Sequence, residues 1–343
     1  MKKILTIVSV LGLSFMVSAQ TISQRELKEI KGSFVKDAST IALQNILTND
    51  KNIKTKALNH AKVANPVDHY FKYRVDIKGI TDQKSSGRCW MFTSMNVFRP
   101  DVIKQFDVPA FDFSHNFCYF WDIFEKSNLF LENIIATADR DMQDRDVEFF
   151  FKSPIGDGGV WNLFYNIAEK YGVVPKQVMP ETEHSENTGQ MTAILRERLR
   201  AGGYKLREMH AAGSKTEALR AEKIKILKDV YRVLALCLGE PPTEFNWRYK
   251  DNNGQIKVLT STPLEFYKSI IPENYNPETY VMIMNDPTRE YYKVYDISNY
   301  RNTYEGLNWV YLNLPNEDIK AAALASLKNN EPMYASCDVG KQY

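Results

Sequence analysis

The sequence predicts an α+β fold in which helices and strands are segregated along the chain, not alternating. Three observations carry that expectation. Helix-period patterns fill most of the first two thirds. Thr188 to Leu238 is the most charged and most helical stretch, with breaks at Gly202-Gly203 and Ala212-Gly213. After Pro241-Pro242 the pattern turns to short runs of strand period: Ile256 to Leu259, Tyr280 to Asn285 and Tyr291 to Asp296. A helix over 318–328 and a last strand from Met333 to Cys337 complete that part.

The elements follow in order. Lys2 and Lys3 precede an uncharged apolar run, Ile4 to Met16, and the small-residue site Val17-Ser18-Ala19. That is the pattern of a signal peptide over 1–19, and it implies export to a bacterial periplasm or beyond. The run falls short of the roughly 20 apolar residues that span a bilayer, and no later segment is apolar enough to do so. Residues 20–64 are polar and rich in lysine, a lead-in and not a domain. Ser23-x-x-Glu26 is a capping box that opens a short helix, and 34–64 read as helical. The main domain is expected over 65–343.

Asn65 to Lys84 reads as extended, with strand period from Tyr70 to Val75. Ser85-Ser86-Gly87-Arg88 is a tight turn of small residues. Met91, Met95, Phe98 and Val102 then fall on one helical face, and Pro100 kinks or ends that helix. Phe113 to Phe130 is very aromatic and apolar on most faces, so it belongs in the core. Asp157-Gly158-Gly159 precedes a helix over 160–171, which Gly172 closes and Pro175 stops.

Composition narrows the function. With 343 residues, 44% hydrophobic, 12% aromatic and 25% charged, the chain is an ordinary globular protein with material for a large core. Lys2 and Lys3 account for the formal net charge of +2, so the exported remainder is neutral and exerts no global pull on nucleic acid. Arg196, Arg198, Arg200, Lys205 and Arg207 form a basic run, but Glu197 and Glu208 dilute it to a solvated helix face. His115-x-x-Cys118 is a lone pair of ligand types, so no metal is expected. No nucleotide-binding glycine motif and no G-x-S-x-G elbow occurs, and no cofactor is implied. Four cysteines in a chain this long make no disulfide framework. Cys118, Cys237 and Cys337 sit in apolar stretches and read as buried.

Cys89 differs. A cysteine at the first turn of a helix meets the positive end of the helix dipole and its free N–H groups, which favours the thiolate. Gln83 lies six residues upstream, across a turn that can fold its amide back toward the sulfur. That amide and the Cys89 N–H would together make an oxyanion hole. Residue chemistry alone leaves a buried core thiol equally open.

The run Gln83-Lys84-Ser85-Ser86-Gly87-Arg88-Cys89-Trp90 resembles the active-site signature of papain-like cysteine peptidases, in the bleomycin hydrolase and aminopeptidase C branch. Phe113-Ser114, Tyr119-Phe120-Trp121-Asp122, Asp157-Gly158-Gly159-x-Trp161, Glu169 to Lys176, Asn285-Asp286-Pro287 and Cys337-Asp338-Val339-Gly340-Lys341 are similar to that branch too. The likeness runs from Asn65 to the last residue. It implies a papain-like fold with a helical insertion at about 188–240. Cys89 would form a thioester with a peptide substrate, Gln83 would hold the oxyanion, and Gly158 and Gly159 would pair with substrate backbone. It also implies a homohexamer with enclosed sites; some relatives bind nucleic acid there, a partner not expected here.

The family's catalytic His and Asn follow the Asp338 to Lys341 stretch, and the sequence given ends at Tyr343. None of His60, His69, His115, His184 and His210 stands in a matching context. The expectation is therefore a peptidase domain incomplete at its C-terminal, barrel-forming part, a fragment in preference to an inactive remnant. The competing function is a papain-fold protein that binds peptides or assembles without cleaving them.

Overall fold

The computed structural model describes residues 21–63, 68–271 and 280–337. The expected signal peptide and the Asp338 to Lys341 stretch lie outside the described residues. The chain divides at Tyr70, with Phe71–Cys337 as the larger unit.

Among its described residues the first unit has four helices. α1 (Gln24–Gly32) opens on the expected capping box: the Glu26 N–H donates to the Ser23 hydroxyl, and the Ser23 N–H to the Glu26 carboxylate. α2 (Ala38–Asn49) starts at Asp37, whose carboxylate accepts from the Thr40 N–H. α3 (Ile53–Lys56) and α4 (His60–Val63) are single turns, and none of the four buries a residue.

The larger unit begins irregularly. Tyr70 to Val75 forms no strand, contrary to the period-two reading. Its backbone has no ladder partner, and further on Arg99 takes the carbonyls of Ile77 and Gly79 with its own guanidinium (2.9 and 2.7 Å). α5 (Cys89–Phe106) does not end at Pro100. A proline inside a helix costs about 3 kcal/mol. Phe98 and Val102, both buried, return roughly 1.5–3 kcal/mol each, so the helix holds. Asp107 closes it in the left-handed conformation, φ 50°.

α6 (His115–Ala136) is the central helix, capped by the Ser114 hydroxyl and buried on most faces, as its sequence predicts. α7 (Arg145–Lys152) and α8 (Trp161–Tyr171) pack against it, and Gly172 ends α8 with φ 78°. α9 (Glu183–Glu186) leads into α10 (Gly189–Ala211) and α11 (Thr216–Leu238). The break at Ala212-Gly213 is present, but α10 runs straight through Gly202-Gly203. A Cβ on Gly202 would lie 2.9 Å from Ile226, and one on Gly203 3.0 Å from Phe151. These glycines let α10 approach its neighbours closely and do not break it.

The basic run on α10 is a solvated face only in part: Arg198 and Lys205 are exposed, whereas its other three arginines are half-buried. Arg196 donates to the Ile155 carbonyl, Arg200 to Phe151 and Lys152, and Arg207 to Thr137 and Arg140. These arginines strap α10 to the last turns and exit loops of α6 and α7.

The strands follow. β1 (Phe245–Lys250) pairs antiparallel with β2 (Ile256–Ser261). α12 (Pro263–Ile270) starts at a Thr262–Glu265 capping box with Pro263 in its first turn. β3 (Met282–Met284), β4 (Val294–Ile297) and β5 (Trp309–Asn313) form a sheet in the order β3-β5-β4, with β5 parallel to β3 and antiparallel to β4. α13 (Asn316–Lys328) closes the described order. The expected strand from Met333 to Cys337 is irregular chain without a ladder partner. No closed barrel forms among the described residues. The α+β class stands: aromatic core below, short strands after Pro242.

Candidate active site

The turn before α5 is folded by its own side chains. The Gln83 amide donates to the Ser86 carbonyl (2.6 Å), and the Ser86 hydroxyl donates back to the Gln83 carbonyl (2.6 Å). Lys84 between them takes φ 54°. The Ser85 N–H donates to the Glu186 carbonyl (3.0 Å), which stitches the turn to α9. One N–H of the Gln83 amide is thereby used, leaving the other for a ligand.

Arg88 anchors the turn from below. It is fully buried, pairs with Glu181 (2.9 Å), donates to the Ser86 hydroxyl (3.0 Å) and lies over the rings of Phe92 and Tyr119. His115 stacks on Phe92, ring centroids 3.5 Å apart. Burial holds its pKa well below the usual value, and Arg88, Lys176 and Arg99 push the same way. Glu181 lies 3.8 Å from its Nδ1, but that carboxylate is committed to Arg88. His115 is thus a neutral core imidazole. Of the other two histidines in this unit, His184 is half-buried and His210 exposed.

Asp157 joins the turn to the rest of the wall. Its carboxylate accepts from the Gly87 N–H (3.3 Å), the Tyr119 hydroxyl (2.9 Å) and the hydroxyls of Thr188 and Thr192. Its backbone carbonyl accepts from the Trp90 indole N–H (2.7 Å). Burial raises the Tyr119 pKa, and the Asp157 charge adds to the shift. A Cβ on Gly87 would lie 2.9 Å from the Asp157 side chain, so only glycine admits this approach.

Cys89, first residue of α5, is exposed, and its N–H has no acceptor among the described residues. Gly158 and Gly159 part company. A Cβ on Gly159 would strike the Trp90 ring at 2.6 Å, whereas one on Gly158 would meet nothing within 4 Å. The Cα side of Gly159 is closed by Trp90, whereas that of Gly158 faces open space. All four cysteines are free: Cys118 is buried and Cys237 half-buried, but Cys337 is exposed, against expectation, because its segment joins no sheet.

Tyr334, from that irregular segment, completes the surroundings. Its ring packs on Trp161, and its pKa is pushed up to about 12 by burial, opposed by a Ser336 hydrogen bond and raised further by its neighbours Cys89 and Tyr300. The sequence carries no signal that joins Tyr334 to Cys89. Asp157 had a signal, its place before the glycine pair, but none that showed its five partners. Among the described residues no group of three or more His, Cys, Asp or Glu could hold a metal ion, and no helix is long and apolar enough to cross a membrane.

An exposed thiol at a helix start, a half-used side-chain amide and an open glycine edge are among the parts that an acyl transfer to sulfur uses; no imidazole stands beside the thiol among the described residues. Comparison with known proteins identifies the family. Aminopeptidase C of Lactobacillus delbrueckii subsp. lactis is 38% identical over 80% of this chain and 62% of its own length. Human bleomycin hydrolase is 37% identical over 80% of this chain and 62% of its own length. The crystal structure of PepW from Lactobacillus rhamnosis HN001 superposes with a TM-score of 0.83 at 34% identity, covering 91% of this chain and 70% of that one. The chain thus spans 62% of the length of the first two relatives. Residues 21–343 match the Peptidase C1-like family, and the chain belongs to that family, in its aminopeptidase C and bleomycin hydrolase branch with the papain-like fold.

Proposed function

We propose that the protein is a cysteine peptidase that removes residues from peptide N-termini, with Cys89 as nucleophile. The observation that carries this reading is the exposed Cys89 at the end of a turn that pins the Gln83 amide, with Gly158, next to that turn at Gly87, open on its Cα side. The sulfur attacks the scissile carbonyl carbon, and the oxygen takes the negative charge. The Cys89 N–H and the free N–H of Gln83 hold that oxygen. The carbon–nitrogen bond then breaks, the amine leaves with the proton that the thiol gave up, and water splits the thioester to give the acid and the free thiol. Aminopeptidase action rests on the names of the relatives.

Replacing Cys89 by Ala is expected to abolish release of a fluorophore from an aminoacyl-coumarin, and Gln83→Ala to slow it about 100-fold. Unchanged hydrolysis by Cys89→Ala would overturn the assignment.

A second reading draws on one observation: no side chain hydrogen-bonds the Cys89 sulfur among the described residues. On that reading the chain binds peptides without cleaving them. It predicts peptide binding with no turnover by the native gene product. Export rests on the Lys2 to Ala19 pattern, and an N-terminus at Gln20 in the mature protein would bear it out. A homohexamer rests on the family resemblance, and sedimentation velocity tests it.

A further inference from the structure

We propose that Lys126 is a positioning residue that turns the Gly158–Gly159 peptide so that its N–H faces the substrate. The inference rests on the cleft reading given above, and it concerns a residue that touches neither Cys89 nor substrate.

Lys126 lies on α6 with its side chain nearly nine-tenths buried. An ammonium group has three protons. Here each finds an acceptor: the Asp122 carboxylate (2.6 Å), the Gly156 carbonyl (2.8 Å) and the Gly158 carbonyl (3.0 Å). The same group lies over the Trp90 ring, 5.5 Å from its centre.

The Gly158 contact sets a direction. In a trans peptide the C=O and the following N–H point opposite ways. No cis peptide occurs here. With the Gly158 carbonyl drawn down to Lys126, the Gly159 N–H points away from α6, and it has no acceptor among the described residues. The Gly158 Cα side is open as well. A donor is therefore presented beside empty space, which is what an extended peptide needs to pair with the cleft edge.

The lysine is itself held from beneath. Asp122 is fully buried; burial raises its pKa, and Lys126 and Asn302 oppose that shift. Asn302, also fully buried, donates to Asp122 (2.8 Å) and to the Leu163 carbonyl (2.9 Å). The relay runs Asn302, Asp122, Lys126, Gly158. A glycine pair left alone samples many backbone states. The relay selects one.

The test uses two reagents on the full chain. With labelling followed cysteine by cysteine by peptide mass mapping, iodoacetamide at Cys89 reports on the sulfur alone; a leucyl epoxysuccinyl peptide reports on the sulfur and on pairing with the cleft edge. The ratio of their rates cancels any change at the sulfur. Lys126→Met keeps the length of the side chain and removes its donors. Because it strands the Asp122 charge, Asp122→Asn combined with Lys126→Met is run in parallel as the neutral version. The expected result is a ratio of peptidyl to iodoacetamide rate lowered about tenfold in both, the size of one good hydrogen bond. An unchanged ratio in the double variant overturns the positioning role of Lys126 and leaves the proposed function standing. A native ratio no greater at Cys89 than at exposed Cys337 removes the cleft reading, and this inference with it.

Discussion

The two flanks of Cys89 are held by different means. On the helical flank Asp157, Arg88 and Lys126 each bind several partners, and those partners come from α5, α6, α10 and the loops between. On the other flank Tyr334 sits on irregular chain, half-buried at the edge of the core, with its ring on Trp161 and a hydrogen bond to Ser336 of its own segment. The first flank is over-determined: several bonds fix each atom, so loss of one partner strands a buried charge. The second rests on few contacts, so its loss costs little. The expected effects of substitution therefore differ in kind across a few ångströms.

The largest effect is expected at Glu181. Glu181→Gln leaves the buried Arg88 guanidinium unpaired, and breaking a buried pair costs about 3–5 kcal/mol. Urea unfolding followed by far-UV dichroism measures it; a change under 1 kcal/mol would show that Arg88 finds another acceptor.

Next comes the glycine pair. Gly159→Ala drives a methyl into the Trp90 ring, an overpacking of about 1–3 kcal/mol. Gly158→Ala adds its methyl in open space and is expected to leave stability within about 0.5 kcal/mol while slowing the epoxysuccinyl peptide. Equal losses at both positions would erase the distinction between packing and cleft.

The third effect is pH-dependent. The folded state keeps the His115 pKa well below its unfolded value of 6.5. Below pH 6.5 the unfolded chain takes up a proton that the folded one refuses, so stability falls as pH drops through that window toward the folded value. The slope from this one site reaches at most about 1.4 kcal/mol per pH unit. His115→Asn is expected to flatten that part of the stability–pH curve, whatever it does to absolute stability. An unaltered slope would mean that His115 protonates in place.

The smallest effect is expected across the cleft. Tyr334→Phe keeps the ring on Trp161 and removes a phenol that is neutral at ordinary pH, so stability is expected to move by less than about 0.5 kcal/mol. A loss above 2 kcal/mol in thermal unfolding would show that this flank is as tightly tied as the other.

The same contrast explains what was legible in the sequence. Caps and turns are written within a few residues, so Ser23–Glu26 and the start of α5 could be read directly, and so could the mostly apolar α6. The site motif was readable as a likeness, and Cys89, Gln83, Gly158 and Gly159 were named from it, their roles in the cleft being part of the proposal above. Features made by distant partners were not readable. Arg200 reads as solvent-facing until Phe151 offers its carbonyl. Lys126 reads as one half of an i,i+4 pair with Asp122 until Gly158 arrives. The strand expected at Met333 failed because period alone does not supply a neighbour to pair with. β1 had a usable signal, Phe245-Asn246-Trp247-Arg248-Tyr249-Lys250 alternating before an Asn252-Asn253-Gly254 turn, but it was read only on its β2 side.

The wide sequence spacing of the Asp157 contacts has a consequence for assembly. Gly87 and Trp90 are synthesised about 70 residues before Asp157 and about 100 before Thr188. Until α10 has been made and docked, the carboxylate lacks two of its donors and the turn before Cys89 lacks its brace. The shape of that turn is thus a late product of folding, and a chain interrupted before α10 carries the cysteine without the wall that orients it.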